Sequence, residues 1–173
     1  MTNVFMQEDL EQKGRIIMGI DPGFGRMGFG VIYVEGMSSA LIDYGVITTT
    51  TGDEFPNRLL HIANDLQDLF MHHKPNVVAI EKLFFGKSTT TAMRVAEARG
   101  VALLVSAQAG VSVCEFTPAQ VKKATTGDGT ATKLGMQKMV MKLLGLDRIP
   151  KPDDAADALA IALTAVGAIS RHV

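Results

Sequence analysis

The chain begins with short apolar runs and then shifts to a helical period. Ile16-Ile17-Met18-Gly19-Ile20-Asp21 is a brief apolar run ending in an acid and Pro22-Gly23, the pattern of a buried strand entering a turn. Residues 28–34 and 40–49 are two further strand-like runs bounded by Gly or Ser, so the start reads as a three-stranded meander. The period then changes. Leu59, Ile62, Ala63, Leu66, Leu69 and Phe70 recur at three and four, which predicts an amphipathic helix ending near His72-His73-Lys74-Pro75. Val77-Val78-Ala79-Ile80 predicts a central strand closed by Glu81, residues 89–109 an alanine-rich helix, and residues 111–116 a fifth strand. Residues 118–123 read as a short helix and 125–132 as a polar loop, and Met136, Met139, Val140, Leu143 and Leu144 line one side of another helix. The last helix opens with acids and continues Ala158-Leu159-Ala160-Ile161-Ala162-Leu163, apolar on every side, as a buried helix is. The order β-β-β-α-β-α-β-α-α-α predicts an α/β fold, a mixed five-stranded sheet with helices on both faces.

Composition narrows the class. The 173 residues, 47% hydrophobic, suit one domain with a full core, expected over residues 15–173, with residues 1–14 as a flexible N-terminal extension. Cys114 is the single cysteine, which excludes an intrachain disulfide and a Cys-based zinc site and favours a reducing compartment; the expected location is the cytoplasm. The first fifteen residues lack the basic start and apolar core of a signal peptide, and polar residues interrupt every apolar run short of a membrane span. The net charge of −1 conceals an asymmetry. Residues 1–81 hold 5 Lys/Arg and 11 Asp/Glu, a net of −6, whereas residues 82–142 hold 9 Lys/Arg and 3 Asp/Glu, a net of +6. A basic middle third suits phosphate contact and equally suits a solvated helix surface.

Four acids sit where buried elements begin or end: Asp21, Glu81, Asp154 and Asp157. Asp154 and Asp157 are i and i+3, on one face of the last helix. Acids at a helix start also cap free N–H groups and complement the macrodipole, with Pro152 marking the entry, so this segment alone is divided between a cap and a metal site. Asp157 lies beyond any cap and interrupts an apolar run. If the first and fourth strands are neighbours, their ends bring Asp21 and Glu81 together at the carboxyl edge of the sheet. Four carboxylates without His, Cys or Lys among them suit hard, oxygen-preferring cations, Mg²⁺ or Mn²⁺, and clusters of this kind serve phosphoryl chemistry.

Four blocks in order, Gly19-Ile20-Asp21-Pro22-Gly23, Ala79-Ile80-Glu81-Lys82-Leu83-Phe84-Phe85, Ala96-Glu97-Ala98-Arg99-Gly100-Val101 and Asp154-Ala155-Ala156-Asp157-Ala158-Leu159-Ala160, resemble the RuvC family of bacterial Holliday junction resolvases over roughly residues 15–168. The resemblance implies a ribonuclease H-like fold, with Asp21, Glu81, Asp154 and Asp157 as catalytic residues that bind two Mg²⁺ ions. It implies a homodimer in which each subunit nicks one of two opposed strands of a four-way DNA junction, leaving 5′-phosphate and 3′-hydroxyl ends. It matches Phe84 to an aromatic that contacts bases, with core packing the plainer reading. It also matches Lys122 and Lys133 to basic positions near the scissile phosphate, adds Lys87 to the DNA-binding set, and places residues 89–109 at the dimer interface. RuvA and RuvB, the branch-migration proteins, are the partners it implies. Asp153 is an extra acid beside the motif and is assigned the helix cap; the fourteen-residue extension has no counterpart in the family pattern.

Two resemblances fail. Gly86-Lys87-Ser88-Thr89 imitates the tail of a P-loop, but Glu81 stands where that loop requires Gly. The Gly19-Ile20-Asp21-x-Gly23 turn also opens actin-like ATPases, which need two such domains, more than 173 residues provide. A nuclease of the same fold with another substrate, and a junction-binding protein without catalysis, are the remaining alternatives; the presence of all four acids argues against the second.

Overall fold

The computed structural model describes residues 14–83 and 89–169. Its elements follow the expected order: β1 (Arg15–Asp21), β2 (Arg26–Glu35), β3 (Ser38–Thr48), α1 (Phe55–His73), β4 (Val77–Glu81), α2 (Thr89–Gln108), β5 (Ser112–Phe116), α3 (Pro118–Thr126), α4 (Lys133–Leu143) and α5 (Asp153–Ile169). The strands form one sheet in the order β3-β2-β1-β4-β5. β1, β2 and β3 are the antiparallel meander, while β4 runs parallel to both β1 and β5. This is the mixed five-stranded sheet that the sequence pattern predicts, in the ribonuclease H-like arrangement that the family resemblance implies.

Strand alternation divides the interior into two cores. On one face Met18, Ile20, Met27, Val31, Val78 and Ile80 pack with Ile62, Leu66 and Phe70 of α1 and with Ala98, Ala102 and Val105 of α2. On the other face Ile17, Ile32, Val34 and Ala79 pack with α3, α4 and the buried run of α5 from Leu159 to Val166. Burying side chains such as Leu159 and Ile161 completely contributes about 2 kcal/mol each. The local signals fit these boundaries. Thr117 caps α3 in a reciprocal capping box with Gln120, Thr132 caps α4 by accepting from the Gly135 N–H, and Gly127 ends α3 in the left-handed conformation.

Several boundaries differ from the expectation: β3 spans Ser38–Thr48 and α3 continues to Thr126, into the stretch read as a loop, and two starts, one of a helix and one of a strand, have a visible cause. α1 starts at Phe55, a turn before the first periodic residue, because Pro56 suits a first turn. β2 starts at Arg26 and not at Gly28, because Gly28 is an interior strand residue kept small by what packs on it.

α5 reaches the sheet through glycine. A Cβ at Gly28 would lie 2.1 Å from the carbonyl oxygen of Asp154, and one at Gly19 would lie 2.0 Å from that of Ala158. Helix backbone rests directly on strand backbone there. Among the described residues no helix is long and apolar enough to cross a membrane.

Candidate active site

The register of β1 and β4 brings two acids together. Gly19 pairs with Ala79 and Ile20 with Ile80 in parallel, so the next residue of each strand, Asp21 and Glu81, ends at the same edge. Alternation turns both toward the face that α5 covers, since Gly19 and Ala79 share their parity. The close contact of Gly28 with Asp154 then brings the first turn of α5 against β2, opposite Asp21, with which Gly28 pairs. A cleft of about 240 Å³ opens there, lined by Asp21, Glu81, Lys122, Lys133 and Asp157, with Pro118, Val121 and Met136 completing its wall.

The acids are crowded and partly compensated. Burial, reinforced by Asp157, Glu81 and Asp154, pushes the Asp21 carboxyl up to about 7, with Lys133 working in the opposite direction. Glu81 is raised by burial and by Asp157, against Lys122, and Asp157 is raised chiefly by burial, in spite of its hydrogen bond from Lys133. Lys133 Nζ lies 2.8 Å from Asp157 Oδ2, which raises the lysine pKa. Arg26 Nη2 lies 3.0 Å from Asp154 Oδ2. Each of these two acids nevertheless has a buried oxygen that accepts no hydrogen bond, Oδ1 of Asp157 and Oδ2 of Asp154. Among the described residues no three acids converge as a ready-made metal cage. The donor set still fits a hard cation: it is all oxygen, rich in negative charge, and holds a buried carboxylate oxygen, Asp157 Oδ1, that accepts no hydrogen bond.

The structure thus brings together Asp21, Glu81, Asp157, Lys122 and Lys133 in one cleft, with Asp154 beside it facing Arg26. Phe84 and Lys87 lie outside the described residues. One expectation is corrected. Asp153 is not the cap: it is the first residue of α5, and its carboxylate pairs with Lys151 at 2.9 Å and stands 3.9 Å from Lys133, which holds it below the usual carboxylate range. The partner two residues earlier outcompetes the backbone amides.

Sequence reasoning missed two arginines. Arg26 is legible in retrospect, because it shares the parity of Gly28 and Gly30, which lie under α5. Arg58 gives no such signal. It is buried on α1 with no acidic partner among the described residues, its Nε donating to Thr49 Oγ1 at 2.8 Å and its Nη2 to the Phe24 carbonyl at 3.3 Å, with its guanidinium 4.9 Å from the Phe24 ring centre. Thr49 donates to the same Phe24 carbonyl at 2.6 Å and through its N–H to that of Gly25 at 3.1 Å. The loop between Asp21 and Arg26 is fastened by these contacts.

Known proteins resemble this chain in sequence and in fold. The sequence profile of the family described as crossover junction endodeoxyribonuclease RuvC matches residues 17–165. The RuvC of Gloeobacter violaceus is 51% identical over 152 residues, 87% of each chain, and that of Ruminiclostridium cellulolyticum is 47% identical over 148 residues, 86% of this chain and 89% of its own. Thermus thermophilus RuvC in complex with a Holliday junction substrate superposes with a TM-score of 0.87 at 34% identity, over 91% of this chain and 96% of that one. The yeast mitochondrial Holliday junction resolvase Ydc2, 14% identical, shares the fold at a TM-score of 0.66 over 90% of this chain and 80% of its own. With the profile covering most of the chain and relatives near half identity, this protein belongs to the crossover junction endodeoxyribonuclease RuvC family.

Proposed function

We propose that this protein is a Holliday junction resolvase, a Mg²⁺-dependent endonuclease that makes paired symmetric nicks in four-way DNA junctions during recombination and DNA repair. The observation that carries the reading is the gathering of Asp21, Glu81 and Asp157 in one cleft with Lys122 and Lys133, with Asp154 one helical turn from Asp157. Mg²⁺ or Mn²⁺ ions held by these four acids would supply the Lewis acidity that activates water and offsets phosphate charge. The protein's own groups do the rest. Lys122 and Lys133 hold a phosphate at the mouth of the cleft against the repulsion of the acids. The reading is direct displacement by water with no covalent enzyme intermediate, since an ion that activates water in the cleft would make a protein nucleophile unnecessary.

The acting unit is a homodimer, whose two-fold axis matches that of the junction and accounts for paired cuts. α2 is the interface we favour; Met93 and Leu104 on it are 61% and 57% exposed, large apolar side chains without cover in the single chain. Phe84 and Lys87 would contact the DNA, and RuvA and RuvB would deliver the junction. The nuclease is a single domain over residues 15–173, acting in the cytoplasm. Incubation with a four-way junction, a nicked duplex and an RNA–DNA hybrid, with and without Mg²⁺, tests the reading. Paired symmetric cuts only in the junction, and only with the ion, are expected; cleavage of the hybrid alone would overturn it.

A further inference from the structure

Among the described residues, two cations form ion pairs with Asp154 and Asp157, and they are held differently. Lys133 stands inside the cleft, bonded to Asp157. Arg26 approaches from the rim. Its side chain is 59% exposed, against 24% for Asp154, and its 3.0 Å approach to Asp154 Oδ2 is an ion pair without hydrogen-bond geometry. Only the arginine side of the pair is exposed, and with no hydrogen bond joining the two the guanidinium can turn back to solvent without breaking one. The backbone beneath it does not share that freedom. Thr49 and Arg58 fasten Phe24 and Gly25, and a Cβ at Gly23 would lie 2.0 Å from the Arg26 carbonyl oxygen. Arg26 is therefore a mobile charge on a fixed base, and its guanidinium stays protonated whatever occupies the site.

A divalent ion on Asp154 would meet that guanidinium as a like charge. We infer that Arg26 is a displaceable counter-ion: it occupies the Asp154 carboxylate in the metal-free protein, gives it up when a divalent cation binds, and then contacts a phosphate of the bound DNA beside the cleft. A guanidinium released at the rim of an acidic centre is placed for bidentate contact with a phosphodiester. The inference rests on the reading of Asp154 as a metal ligand.

The test uses the full chain without DNA for the first step. Mg²⁺ is titrated into wild type, Arg26→Gln, Arg26→Lys and Asp154→Asn, and the midpoint of the rise in melting temperature is read. Arg26→Gln is expected to lower the midpoint about three- to tenfold, because a competing cation is gone, and Arg26→Lys to fall between it and wild type. Asp154→Asn is expected to raise it. Junction binding is then measured against salt in Ca²⁺, where Arg26→Gln should flatten the slope of log K against log salt by about one and Arg26→Lys should keep it. An unchanged midpoint in Arg26→Gln while Asp154→Asn weakens Mg²⁺ overturns the inference alone, as does an unchanged salt slope. An unchanged midpoint in Asp154→Asn overturns the ligand reading with it.

Discussion

The two faces of the sheet are built by opposite means. Beneath α1 and α2 the contact is made by side chains: Ile62, Leu66 and Phe70 meet Met18, Met27 and Val31, and their shapes set the distance between layers. Beneath the start of α5 the contact is backbone on backbone, through Gly19 and Gly28. Side chains that interlock tolerate small repacking, whereas a carbonyl oxygen against a Cα leaves nothing to adjust. The chemistry sits on the second kind of face. Asp21 and Asp157 need a fixed separation, and close backbone contact provides it without relying on rotamers.

Four substitutions probe that contrast. Asp157→Asn should lower junction cleavage by on the order of 10³-fold or more while junction binding in Ca²⁺ persists, because cleavage depends on the acidic centre and binding on phosphate contacts. Loss of both together would mean that Asp157 is structural. Gly28→Ala should cost about 3 kcal/mol in urea unfolding, since a carbonyl of α5 has to retreat, and should also slow cleavage through displaced Asp154. A neutral result would break the distinction between the faces.

Asp21→Asn should stabilise the metal-free protein. Because the folded pKa is pushed up to about 7 from 3.8, the native state holds a proton that the unfolded chain has released, and stability falls as pH rises through that window. In EDTA the variant should therefore gain on the order of 2 kcal/mol over wild type at pH 8 and nothing at pH 3. An equal gain at both values would assign the effect to packing and not to charge. On the other face Ile62→Val should cost only about 1 kcal/mol and leave cleavage unaltered, the smallest effect of the four and the control for the rest.

Much of this was open to a reader of the chain, and the reasons differ by residue. The order of elements along the chain follows from period and run length, and the hydrophobic run of α5 announces burial before any partner is known. Asp21 and Glu81 stand out because each ends an apolar strand, and only the parallel register of β1 and β4 was needed to join them. Asp153 is not a cap because it is the first residue of α5 and Lys151, two residues earlier, holds its carboxylate, whereas Lys133 comes near only once α4 has docked. Arg26 was hidden because Gly28 reads as a boundary: a strand begun there starts two residues late and leaves Arg26 in a turn. Arg58 was beyond reach, since a buried arginine held by a hydroxyl, a carbonyl and a ring leaves no charge pattern to read.

The glycine contacts beneath α5 also bear on how this chain changes over generations. An ordinary core drifts because a larger residue on one side can be answered by a smaller one on the other. No such answer exists at Gly19 and Gly28, since every amino acid at positions 158 and 154 carries the same carbonyl oxygen. A larger residue at either strand position could be accommodated only by moving the helix, and with it the acids Asp154 and Asp157.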